Sequence, residues 1–260
     1  VNSLVFDIET VPDVELGRRL FDLDGLSDEE VMRAMFTLRR QESGGSDFLP
    51  HEQHRVVAIS CVLRNRDVLK VWSLGDVNAT ERELVERFYD GIERFTPDLI
   101  SWNGGGFDLP VLHYRALKYG IKAARYWDTG GDDASFRFNN YLSRYHWRHL
   151  DVMDVLSGFQ PRARAGLATV AAMLGLPGKL GFSGDKVADA FLAGELVQIR
   201  QYCETDVLNT YLIYLRFELM RGNFTPERYA EEVERVKLLL RAGVSEPHFA
   251  EFLRVWELQS

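Results

Sequence analysis

Leu4-Val5-Phe6-Asp7-Ile8-Glu9 is an apolar run with two acids set into it, followed by Thr10 and closed by Val11-Pro12. Its length and its aromatic and β-branched content predict a buried strand over residues 4–9 that Pro12 ends. Side chains alternate along a strand, so Asp7 and Glu9 share one face while Ile8 points into the core. Two carboxylates on one face of a buried strand repel each other and lose hydration, so they need a proton or a cation. A hard divalent ion that takes oxygen ligands, Mg²⁺ or Mn²⁺, suits them. Asp28-Glu29-Glu30 has the same spacing. There, however, Ser27 and Glu30 form a capping box, which predicts a helix over 28–40, and acids two apart on a helix do not share a face.

Outward from that strand, Arg55 to Leu63 and Val68 to Leu74 read as a hairpin broken at Asn65-Arg66. Thr80 caps a helix that ends near Phe95, Asp98 to Trp102 is a short strand, and Leu109 to Tyr119 is a helix stopped by Gly120. Residues 121–150 are irregular, with 148–156 a turn leading into a helix. Leu167 to Leu174 is a small helix, Glu195 to Met220 a long one, and two more run from Pro226 to Arg241 and from Pro247 to Glu257. The pattern predicts one α/β domain with a mixed sheet and helices appended at its C-terminal end.

Composition narrows the function classes. The chain has 260 residues, 46% hydrophobic and 27% charged, with a net charge of -8. Those fractions are those of a globular protein. An acidic total argues against coating nucleic acid by bulk electrostatics, but not against an enzyme that grips a few nucleotides locally. No apolar stretch is long enough for a membrane helix, and Val1 to Asp7 lacks the basic start and long apolar run of a signal peptide. Cys61 and Cys203 form neither a Cys-x-x-Cys pair nor a disulfide framework. A cytoplasmic, reduced protein without zinc ribbons is the expectation.

Two further motifs carry acids. Asn103-Gly104-Gly105-Gly106-Phe107-Asp108 follows a strand and opens a helix. Glycines allow a tight turn and close approach of a ligand to the backbone. Both the phosphate-binding loop with its Gly-Lys-Ser/Thr and the Gly-x-Gly-x-x-Gly fingerprint are absent. On spacing alone Asp108 also fits a helix cap. In the long helix, Tyr202 and Asp206 stand four apart on one face. On spacing alone Tyr202 also fits a core tyrosine whose hydroxyl an acid satisfies.

Taken together, Phe6-Asp7-Ile8-Glu9-Thr10, Asn103 to Asp108 and Tyr202 to Asp206 resemble the three motifs of the DEDD exonuclease superfamily in its tyrosine branch. The position where the histidine branch carries its histidine is Gln201. The chain is most similar to stand-alone predicted 3'-5' exonucleases related to the proofreading domain of B-family DNA polymerases. The match spans about residues 1–220, leaving 221–260 as a helical extension packed on the exonuclease domain. The resemblance implies a ribonuclease H-like fold, a mixed five-strand sheet flanked by helices with the first strand central. It also implies a catalytic set of Asp7, Glu9, Asp108, Tyr202 and Asp206. In that reading Asp7 bridges two Mg²⁺ or Mn²⁺ ions, Glu9 and Asp206 complete the shell of the first, and Asp108 holds the second through water. Tyr202 orients the attacking water. The implied reaction is release of 5'-mononucleotides from the 3' end of single-stranded nucleic acid, DNA first. An exoribonuclease and a non-catalytic binding module of the same fold are the alternatives.

Substrate contacts are expected from Thr10, Asn103 and Phe107 beside the acids, and from Arg144 and Arg148. Residues 137–164 hold five arginines against Asp151 and Asp154, a local +3, interleaved with Phe138, Tyr141, Tyr145 and Trp147. Arginine on phosphate and aromatic on base is the single-strand recipe, although a packed loop with a solvated charged face has the same composition. His51 and His54 have metal-like spacing but no evident third ligand. Asp151 and Asp154 read as turn or cap residues, and Cys203 as a small buried residue. Glu231, Glu232, Arg235 and Lys237 read as a solvated helix face. No protein partner can be inferred.

Overall fold

The computed structural model describes residues 2–259. Strand β1 (Asn2–Pro12) lies at the centre of a five-stranded sheet. Its neighbours are β2 (His54–Asn65), antiparallel, and β4 (Asp98–Ser101), parallel. β3 (Val68–Ser73) pairs with β2 as a hairpin, and β5 (His149–Asp151) pairs parallel with β4. The order β3-β2-β1-β4-β5, with helices on both faces, is the ribonuclease H-like arrangement. β1 is longer than its apolar run because pairing with β2 carries it on to Pro12. β4 follows β1 only along Ser3 to Val5. The upper half of β1, from Asp7 onward, therefore has an open side.

Both faces of β1 are buried, which is why Leu4, Val5, Phe6 and Ile8 are apolar on both sides of the strand. Leu4, Phe6 and Ile8 pack against α3 (Glu81–Phe95) and α4 (Asp108–Tyr119) through Leu84, Phe88 and Leu112. On the opposite face Val5 meets Val207, Tyr211 and Leu215 of α9 (Leu196–Met220). α9 is apolar almost all round because the sheet covers one side and other helices cover the rest. Those covering helices include α7 (Leu167–Met173), α10 (Pro226–Ala242) and α11 (Pro247–Gln259).

Four elements differ from the sequence expectation. α1 (Val14–Phe21) is a helix inside the acidic stretch, capped by Asp13. It packs on α2 (Asp28–Ser43), whose capping box of Ser27 and Glu30 is present. Of the turn leading into a helix predicted at 148–156, the helix is present as α6 (Val152–Leu156), but the turn before it is strand β5. A three-residue strand is too short to show a period, and only its place beside β4 makes it one. α5 (Ala124–Trp127) and α8 (Val187–Leu192) are likewise too short to show a helical repeat. Glu232 is not solvated: it takes a two-point ion pair from Arg64 of β2, at 2.7 and 2.6 Å, which pins α10 to the sheet. Among the described residues no helix is long and apolar enough to cross a membrane.

Candidate active site

Asp7 and Glu9 project from β1 toward α9, into the opening left where β4 stops. A register shift against β2 falls between Glu9 and Thr10, and such bulges bend a strand and re-aim its side chains. Ligating atoms of Asp7, Glu9 and Cys203 lie within 4.8 Å of one another. Cys203, however, is a donor here: its thiol points at the Asp7 carbonyl at 3.4 Å and at Asp7 Oδ2 at 3.7 Å. Burial, then the charges of Asp7 and Glu9, push that thiol well up, so it stays protonated and is a poor ligand.

Asp108 reaches the same place from the other side. It is the first residue of α4, and its Oδ1 accepts the Ile8 amide at 3.1 Å. That amide lies on the edge of β1 where β4 would have continued, so the carboxylate supplies the acceptor of a missing strand. The preceding turn is held from beneath by Asp151, whose two oxygens accept the amides of Asn103 (2.9 Å) and Gly105 (3.0 Å). Asn103 has φ 65°, a left-handed conformation that asparagine tolerates. A Cβ on Gly104 would come within 2.5 Å of the Ser101 Cβ, and one on Gly106 within 2.5 Å of Asn103 Oδ1. Crowding therefore requires glycine at 104, whereas Gly106 faces a side-chain end and a Cβ at Gly105 would come no closer than 3.3 Å, to Asp151 Oδ2.

α9 brings Tyr202 and Asp206, one helical turn apart and both buried. Asp108 and Asp206 lie close enough for their charges to act on Asp7 and Glu9. Asp7 is held well above the usual carboxylate range by burial, then by the charges of Asp108, Glu9 and Asp206. Glu9 is raised by burial, then by Asp206 and Asp108. Burial pushes Asp108 up to about 7 and Asp206 up to about 6. Tyr202 is raised by burial, then by the charges of Asp206 and Glu9, so its hydroxyl keeps its proton. Such a nest is stable as a set of anions only around cations. Its donors are carboxylate oxygens, which fits Mg²⁺ or Mn²⁺.

Residues 46–256 match a family model described as a predicted 3'-5' exonuclease related to the exonuclease domain of PolB. The chain belongs to this PolB-related exonuclease family. The matched span contains the glycine turn and the Tyr202–Asp206 helix and begins after β1. Among curated proteins, the chain is 30% identical to a DNA polymerase of Pyrococcus glycovorans over 128 residues, 47% of this chain and 16% of that one. It is 26% identical to a DNA polymerase of Archaeoglobus fulgidus over 167 residues, 62% of this chain and 20% of that one. It thus spans a fifth or less of the length of these relatives. Among solved structures, the family B DNA polymerase of the archaeon Pyrobaculum calidifontis aligns with a TM-score of 0.48 at 17% identity, over 98% of this chain and 27% of that one.

Around the acids of this exonuclease-family chain, the other expected contacts fall into two groups. Thr10, Asn103 and Phe107 stand beside them. Thr10 Oγ1 lies 2.8 Å from His54 Nδ1, and His54 Nε2 lies 3.1 Å from the Leu49 carbonyl. A carbonyl only accepts, so Nε2 carries the proton and Thr10 donates to Nδ1. Burial lowers His54 to about 4, so the ring is neutral. His51 meets the Gly106 carbonyl at 2.9 Å. Both histidines thus brace the cleft wall, packed on Phe107. Arg144 pairs with Asp154 near the glycine turn, with its side chain 46% exposed. Arg148 is elsewhere. Its carbonyl pairs with the Leu99 amide at the far end of the sheet, its Nε donates to Asn139 O at 2.7 Å, and its guanidinium lies 4.0 Å over Phe136. The expectation that it faces substrate is corrected to that of a loop brace.

Lys179 was not singled out by the sequence. It is the cation that lowers both Glu9 and Asp206. Buried Asn209 clamps Gly178, accepting its amide at 3.2 Å and donating to its carbonyl at 3.0 Å, and so presents Lys179 to the acids. A lysine after Pro-Gly carries no signal in sequence; only the fold places it.

Proposed function

We propose that this chain is a metal-dependent 3'-5' exonuclease that hydrolyses single-stranded DNA and releases 5'-mononucleotides. The observation that carries the reading is the convergence of four carboxylates from three distant segments, Glu9, Asp108 and Asp206 buried and Asp7 partly so, each with its pKa raised, beside a protonated tyrosine. A binding module has no use for that costly arrangement. DNA is favoured because the relatives are DNA polymerases. Residues 1–220 are taken as the exonuclease domain and 221–260 as its helical extension, in a reduced, cytoplasmic setting.

Asp7, Glu9, Asp108 and Asp206 would hold two Mg²⁺ or Mn²⁺ ions. When bound, such ions offset the phosphodiester's charge and lower the pKa of a coordinated water. The chain's own groups do the rest. Tyr202 keeps its proton and is a poor base, so its hydroxyl orients the attacking water. Thr10 spends its hydrogen on His54, which leaves its oxygen as an acceptor for the terminal sugar hydroxyl. Phe107, backed by His54 and Phe48, offers a face to the terminal base. Lys179 supplies a positive charge beside the reacting phosphate.

The test is degradation of 5'-labelled single-stranded DNA and RNA with Mg²⁺, Mn²⁺ or EDTA. A ladder shortening from the 3' end, mononucleotide product and silence in EDTA are expected, with Asp7→Asn inactive and folded. Faster loss of RNA would move the substrate to RNA. Binding without cleavage under every metal would make the chain a binding module.

A further inference from the structure

We propose that Arg144 and Arg164, held side by side by Asp154, grip the backbone phosphates of the single strand upstream of its 3' end. This rests on the exonuclease reading and extends it along the substrate. Asp154 Oδ2 accepts Arg144 Nε at 3.0 Å and Nη2 at 2.6 Å, while Oδ1 accepts Arg164 Nη2 at 3.0 Å. One buried carboxylate, 8% exposed, thus orients two guanidiniums that are 46% and 33% exposed. Two positive charges on one negative leave a surplus of one, in a chain whose net charge is -8. Exposed Arg162 lies in the same turn.

The cluster stands beside the candidate site. Asp154 donates its amide to Asp151, the residue that holds the glycine turn. Asp151 is close enough to act electrostatically on Asp108 and on Arg144. An aromatic surface adjoins it: Arg144 lies 5.2 Å over the Phe159 ring, which meets 68%-exposed Tyr145 edge-on at 4.9 Å. Bidentate-capable guanidiniums next to exposed rings fit phosphate and base of an unpaired strand. A strand whose last phosphate sits at the carboxylates would run past the glycine turn onto this patch.

The test uses the full chain carrying Arg144→Ala and Arg164→Ala. Binding of a single-stranded DNA of about 16 nucleotides, the upper site size of single-strand folds, is read by fluorescence anisotropy on the Asp7→Asn background. At about 0.7 per phosphate contact, the slope of log affinity against log salt should shrink by roughly 1.4. On the Asp7 background, KM for the long strand should rise about tenfold, with a smaller rise for a trinucleotide that cannot reach the patch. Arg144→Lys with Arg164→Lys should recover most of the salt slope and controls for folding. An unchanged slope, or equal KM changes for long and short substrates, overturns the grip. If the parent chain cleaves nothing, the exonuclease reading fails, while the anisotropy still decides the grip.

Discussion

Asp108 accepts the Ile8 amide at 3.1 Å where β4 has already ended, and its pKa is pushed up to about 7 by burial. Asp206 is pushed up to about 6 for the same reason. Both sit far above the ordinary value of about 3.9. Between those limits the folded, metal-free chain holds protons that the unfolded chain has released. Stability without metal should therefore fall as pH rises from about 4 to about 7. Melting of the EDTA-treated protein checks this: Tm should climb as pH drops from 8 to 5.5, and Mg²⁺ should flatten that slope by stabilising the ionised acids at the upper end. A metal-free Tm that rises with pH would contradict the clustered acids. Tyr202→Phe removes a hydroxyl whose only assigned work is to place water. Its kcat should fall about 10²-fold, the low end for a positioned proton-transfer group, with little change in KM.

At the scale of the element, the glycine turn is the part most sensitive to small change. Gly104→Ala puts a Cβ within 2.5 Å of the Ser101 Cβ. Because Asp108 begins the helix after that turn, relief of the clash should shift its carboxylate. Displacements of about 1 Å can cost about 10²-fold in rate. Activity should thus fall much more than Tm, and a variant with normal kcat would show that the turn yields without moving Asp108. Other elements were legible because their signals are local. The capping box of Ser27 and Glu30, the Gly120 stop and the long apolar α9 are each read from neighbours in sequence. β5, α5 and α8 were not, because three to six residues cannot show a period.

Across the whole molecule, buried ion pairs tie the layers together. Arg115 of α4 donates to Asp13, beyond β1, at 2.7 Å and to Glu81 of α3, all three side chains being 3–4% exposed. Glu81 also accepts the Val56 amide and the Tyr119 hydroxyl. Arg115→Met would leave buried Glu81 without its cation and Asp13 with Lys118 alone, and breaking such a buried pair costs about 3–5 kcal/mol. Denaturant unfolding should show that loss; a change under about 1 kcal/mol, the worth of a surface pair, would place the cluster in solvent. Burial alone would raise Asp13, but hydrogen bonds from Arg115 and Lys118 overcome it and hold the carboxyl low. Its contribution is present above the unfolded value and is lost as pH falls through the folded one, an acid-side window distinct from that of the catalytic acids. By itself the amino-acid order made the buried first strand, the hairpin and the long helix legible through alternation, caps and short-range spacing. It offered the five side chains of the candidate site only through their resemblance to the exonuclease motifs, because spacing alone also fits Asp108 as a cap and Tyr202 as a core tyrosine. Only the tertiary structure decided that Lys179 acts by its charge on Glu9 and Asp206, that Cys203 donates to Asp7, that Arg148 braces a loop and that Glu232 is buried. Each of these depends on which distant surfaces come into contact, and no local spacing encodes that.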